Sequence, residues 1–100
     1  MKVLISKDYG AGWSTWNQPE MATDEDLIKA FEFGCNQEEM EELCRQKGYD
    51  DGFGGAPYMG GFHDLKVIEV PAGSYFKVRE YDGFEWVEVF NKDEWLYAKE

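Results

Sequence analysis

His63 is the only histidine of the chain and is followed by Asp64. General acid–base or metal chemistry at that pair would need further partners, whose position the sequence does not reveal, so His63 is read as a loop histidine. Nucleophilic catalysis has no better footing. No serine stands in a G-x-S-x-G elbow, and Cys35 and Cys44 stand alone without CxxC spacing, which points to buried free thiols. Gly52-Phe53-Gly54-Gly55-Ala56-Pro57 begins like a dinucleotide fingerprint, but Pro57 holds the place of the third glycine and no Gly-Lys-Ser/Thr follows. Gly10-Ala11-Gly12 follows an apolar run, yet polar residues and Pro19 come where the fingerprint needs a helix. Both stretches read as turn-rich loops that pack aromatics such as Phe53, Tyr58 and Phe62. The expectation is a protein that is not an enzyme, with no catalytic residue, no metal site and no cofactor.

Binding chemistry is better represented. From Glu20 to Asp51 there are eleven acids against three bases, so −8 of the formal net charge of −11 falls in this segment. A field of one sign repels phosphate and anionic lipid and speeds association with basic surfaces. The expected partner is a protein with a basic surface, with no direct nucleic-acid contact and no membrane. Asp24, Glu25, Glu38, Glu41, Glu42, Asp50 and Asp51 are the candidate contact residues, although a solvated helix face would carry the same charges. Trp13 and Trp16 join them as candidates because Trp dominates binding hot spots, while filling of a small core competes for the same residues. Arg79 and Trp86 offer either a contact face or a cross-strand cation–π pair.

Hydrophobic spacing supplies the elements that must position these groups. Lys2–Ser6 reads as a short buried strand. Thr23 offers an N-cap, with Asp26 three residues on, for a helix that places Leu27, Ile28, Ala30 and Phe31 on one side and stops at Gly34. Asn36 opens a second helix, closed as a capping box by Glu39, with Met40, Leu43 and Cys44 inward and Gly48 beyond its end. Residues 48–64 hold six glycines and Pro57, a long loop. The period then changes to strand over Leu65–Val70, Ser74–Tyr81 and Phe84–Phe90, with a further strand over Glu94–Ala98. Asp82-Gly83 signals a type I′ hairpin, which sets Tyr81 opposite Phe84, Arg79 opposite Trp86, Lys77 opposite Glu88 and Tyr75 opposite Phe90. The other face carries Phe76, Val78, Val87 and Val89, apolar apart from Glu80 and Glu85 near the tip, and is the predicted core face.

The resulting class is α+β: a small antiparallel sheet of C-terminal hairpins plus the N-terminal strand, with two amphipathic helices inserted after that strand. The sequence leaves open whether the first strand joins the hairpin sheet or sits apart. At 100 residues a single domain spanning 1–100 is expected, and 43% hydrophobic content is enough to fold it despite the charge. No apolar run reaches membrane-spanning length and the N-terminus lacks signal-peptide character, so the expected location is the cytoplasm.

Three segments carry a resemblance: Leu4-Ile5-Ser6-Lys7-Asp8-Tyr9-Gly10-Ala11-Gly12-Trp13-Ser14-Thr15-Trp16, Tyr58-Met59-Gly60-Gly61-Phe62, and Glu80-Tyr81-Asp82-Gly83 followed by Trp95. They resemble uncharacterised small proteins encoded by phages and prophages of Gram-positive bacteria. The resemblance implies a phage accessory setting in a host cell and transfers no functional site. The leading expectation is therefore an accessory protein that binds another protein, as a nucleic-acid mimic inhibiting a host defence or nucleic-acid-binding protein in counter-defence. The alternative is a small-ligand binder that sequesters nucleotides between its Gly/aromatic loops.

Overall fold

A computed structural model describes residues 1–90. Its order is β1 (Lys2–Ser6), α1 (Glu25–Glu32), α2 (Gln37–Gln46), β2 (Leu65–Glu69), β3 (Tyr75–Tyr81) and β4 (Phe84–Phe90), with short 3-10 turns at Ser14–Trp16, Pro19–Ala22 and Phe62–Asp64. The class is α+β, with both helices after the first strand. The strands divide into two antiparallel pairs, β1 with β2 and β3 with β4, so β1 sits apart from the hairpin and takes β2 as its partner. Pro71 to Gly73 separate β2 from β3 without pairing them. The strand expected over Glu94–Ala98 lies outside the described residues.

Strand alternation makes the β1–β2 ribbon the middle layer. Leu4 and Val67 face one another across the ladder, and with Leu65 they meet the helices through Leu27, Ile28, Met40, Cys44 and the buried Trp13. Val3, Ile5, Ile68 and Val70 point the other way, onto Phe76, Val78 and Val87 of the hairpin. Two small cores thus share one ribbon. Val89, assigned by its alternation to the core face, is half-exposed instead. The hairpin strands have seven residues and the ribbon strands five, so the open end of the hairpin overhangs its cover.

The helix ends follow local rules with one shift. Asn36 and Glu39 form the expected capping box of α2. α1 is capped by Asp24 and not by Thr23: the Asp24 Oδ1 accepts from the amides of Asp26 (2.9 Å) and Leu27 (3.2 Å). A carboxylate at the positive end of the helix is the stronger cap, and it displaces the start by one residue.

The hairpin register is the predicted one, from Tyr81 opposite Phe84 to Tyr75 opposite Phe90. Asp82 (φ 51°) and Gly83 (φ 89°) both take the left-handed conformation that the type I′ turn requires. Gly83 has a second reason to be glycine, since a Cβ there would collide with the backbone nitrogens of Ala11 and Gly12. Gly83→Ala thus combines a left-handed φ, about 1–2 kcal/mol, with a backbone clash. Chemical denaturation should show a loss of at least about 2 kcal/mol, whereas Asp82→Gly should stay within about 0.5 kcal/mol of the parent. A Gly83→Ala variant of parental stability would show that the tip is not docked.

Candidate functional site

The loop between β1 and α1 closes over the hairpin tip, and its centre is Glu85. This carboxyl is fully buried. Its Oε1 accepts from the Ser6 amide at 2.9 Å, and its Oε2 accepts from the amides of Trp13 (2.9 Å) and Thr15 (3.1 Å) and from the Thr15 hydroxyl (2.5 Å). Four donors answer one group, and no cation pairs with it among the described residues. Sequence reasoning assigned Glu85 inward but gave it no role. The available signal was an acid on a core face, two residues from a tight turn.

Around this hub the three segments quoted above meet, apart from Trp95, which lies outside the described residues. The Ser6 hydroxyl donates to the Ala11 carbonyl at 2.6 Å, and a Cβ on Gly61 would lie 2.5 Å from both of those oxygens. Tyr9 stacks on Phe84 with ring centroids 4.8 Å apart, and the Lys7 ammonium lies 4.7 Å from the same ring. Trp16 stacks on Tyr58 (5.6 Å), while the Asn17 side chain donates to the Tyr58 carbonyl and accepts from its amide. Trp13 and Trp16 part company here. Trp13 is sealed in the core, its indole N–H directed at the Met21 carbonyl, and offers a partner no surface. Trp16 stays 42% exposed.

The acid candidates also divide. Asp24 caps α1, accepts from the Tyr49 hydroxyl at 2.8 Å and pairs with Lys47 at 3.1 Å; Lys47 reaches Asp26 as well. Asp50 and Asp51 bind the amides of their own loop at Gly52, Phe53 and Gly55. Asp24 is thus largely covered, while Asp50 and Asp51 stay exposed as they accept from their own loop. Glu38, Glu41, Glu42 and Arg45 follow one another along α2 at i, i+3, i+4 and i+7, with Glu42 joined to Arg45 at 2.7 Å and Glu41 held by Gln37. Glu25 and Glu38 point to solvent without an ion-pair partner among the described residues. In the turn between the helices Phe33 is 89% exposed, an apolar ring beside this charge that the sequence reading missed.

Burial pushes both thiols up, Cys44 to about 12, so neither is a ready thiolate. His63 is exposed and meets the Phe62 ring edge-on. No cluster of His, Cys, Asp and Glu among the described residues could hold a metal ion, and no helix there is long and apolar enough to cross a membrane. Arg79, opposite Trp86, turns its Nε to Glu88 at 3.0 Å. A cleft of about 460 Å3 opens between the two 3-10 turns of the first loop and β3, and one of about 350 Å3 between the start of β1 and α1; neither takes a residue from the loop 48–61. Comparison of the chain with protein-family models, curated proteins and solved structures gave no match.

Replacing Glu85 by Gln turns an acceptor into an N–H₂ facing buried donors. Glu85→Gln should lose about 3 kcal/mol or fail to fold, while the exposed Glu88→Gln loses less than about 1 kcal/mol. Similar losses for the two would remove Glu85 from the centre of the fold.

The cluster at the start of α1 predicts a pH response. Burial works against the Asp24 carboxylate, but the bonds from Tyr49, Lys47 and the Leu27 amide outweigh it and hold the group below its ordinary value of 3.8. The stability it adds is therefore complete above that value and is lost as pH falls further. Burial, followed by the bond to Asp24, pushes the Tyr49 hydroxyl from 10.0 to about 12. Its contribution is complete below pH 10 and is lost toward pH 12. Asn retains the cap acceptor, so Asp24→Asn should fold but show a flatter acid limb in urea midpoints measured against pH. An unchanged acid limb would exclude Asp24 as its source.

Proposed function

We propose that this chain acts by binding, and that its α1–α2 pair presents an acidic face to a protein with a basic surface. The observation that carries this reading is the combination on one helical hairpin of outward carboxylates with an almost fully exposed Phe33. Phe33 is 89% exposed and adds little burial to the fold, which leaves its ring available to a partner as an apolar anchor beside a polar rim. The contact set narrows to Glu25, Glu38, Glu41, Glu42 and Phe33. Carboxylates spaced along helices can take the places of phosphates in an Arg-rich groove, so the proposal extends to a nucleic-acid mimic. The resemblance to phage-encoded proteins suggests an accessory setting in a host cell, and the acidic face extends the proposal to counter-defence against a nuclease or another nucleic-acid-binding protein. Nucleotide sequestration between the glycine loops has less support, because those loops meet ring on ring at Trp16 and Tyr58.

Affinity capture with the tagged chain from a Gram-positive host should retain a basic nucleic-acid-binding protein, released as salt rises. Reversal of Glu38, Glu41 and Glu42 to Lys should abolish capture with an unchanged circular dichroism spectrum, and Phe33→Ala should weaken it at least about tenfold, the loss of roughly 1.4 kcal/mol. Capture that survives both changes, or that ignores salt, would overturn the proposal.

A further inference from the structure

Among the described residues no strand pairs with the outer edge of β3. Because Tyr81 and Phe84 flank a two-residue turn, they form a hydrogen-bonded pair, and bonded pairs recur at Arg79–Trp86 and Lys77–Glu88. The N–H and C=O groups of Phe76 and Val78 therefore point away from β4. Neither residue has another hydrogen bond among the described residues. Both line the cleft of about 460 Å3, whose opposite wall is formed by Ser14, Thr15, Asn17, Pro19, Ala22 and Thr23.

That wall carries a second observation. Ser14 is only 3% exposed, and its hydroxyl has no hydrogen-bond partner among the described residues. No polar side-chain atom there is sealed off without a partner, so the little surface that Ser14 keeps includes its hydroxyl, and it opens on the cleft. Because it reaches the surface, this hydroxyl is free to bond whatever is seated in the cleft beside β3.

We infer that the β3 edge binds an extended peptide segment of another protein, added as a third strand with its backbone on Phe76 and Val78. Side chains of such a strand alternate. Those on the inner side meet Phe76, Val78, Ala22 and Pro19 and should be apolar. The residue between them stands beside Lys77, which has no ion pair among the described residues because Glu88 is taken by Arg79, and should be acidic. A second copy of this chain fits poorly: antiparallel pairing of two β3 edges about Val78 would set Lys77 against Arg79 of the other copy. The surface is separate from the α1–α2 face, so the two proposals stand or fall independently.

The test uses the full chain, 15N-labelled, and three capped heptapeptides: alternating Val and Asp, alternating Val and Lys, and the Val–Asp peptide with alternate backbone amides N-methylated. The Val–Asp peptide should give saturable amide shifts centred on Phe76, Val78 and Ser14, and slow exchange of the Phe76 and Val78 amides at least tenfold. The methylated peptide should fail, and the Val–Lys peptide should bind severalfold more weakly, a preference that Lys77→Glu reverses. Equal binding by the methylated peptide would reduce the site to an apolar cleft. No saturable shift with any peptide would overturn the inference, and so would a concentration-dependent dimer that protects the same amides.

Discussion

One carboxylate decides where the hairpin sits. The two strand pairs share no ladder, and the apolar cluster between them is small: Val3, Ile5, Ala22 and Val70, with Phe76, Val78 and Val87 against it. Apolar contact is non-directional, so that cluster alone would tolerate sliding of one pair over the other. Glu85 removes this freedom. A buried carboxyl left unsatisfied costs several kcal/mol, and its four donors come from β1 and from two positions of the loop that follows. Any displacement of the hairpin strips donors and acceptor together. Removing one partner of such a buried group leaves the rest uncompensated, so the four bonds resist displacement of the hairpin. The fit of Gly83 against the Ala11–Gly12 backbone belongs to the same placement.

Charge serves a different purpose on the helical side. Asp24, Lys47, Asp26 and Tyr49 tie the start of α1 to the end of α2, and the Asn36–Glu39 box sets the start of α2. These local bonds, with the inward stripe of Leu27, Ile28, Met40 and Cys44, are sufficient to build the pair. The outward acids add nothing that folding requires. Exposed pairs such as Glu42 with Arg45 contribute between about 0 and 1 kcal/mol. An acidic surface can therefore be carried here without disturbing the core beneath it.

What was legible in the sequence is what local rules determine. Asp82-Gly83 fixed a two-residue turn and with it every cross-strand pair, and Asn36 with Glu39 fixed a helix start, because both signals act over three or four residues. The shift of the first cap from Thr23 to Asp24 is the uncertainty of two adjacent capping residues. Partners across long separations were not legible. Alternation turned Glu85 inward but could not show that the amides of Ser6, Trp13 and Thr15 would be waiting. Trp13 and Trp16 lie three residues apart in one loop and have opposite fates, which depend on the Met21 carbonyl and the Tyr58 ring. Periodicity cannot see either.

Among the described residues the division into two strand pairs leaves the β3 edge without a strand partner, a feature that proteins blunt with charges or cover to prevent unwanted association. The turns Ser14–Trp16 and Pro19–Ala22 stand beside β3 across the cleft of about 460 Å3. Thr15 belongs to both devices, since it lines the cleft and binds Glu85 through its amide and its hydroxyl. A segment seated in the cleft would hold that wall in the conformation that satisfies Glu85. Binding at the edge would thus be linked to placement of the hairpin through one residue, and an occupant that requires the folded wall would stabilise the whole chain by mass action.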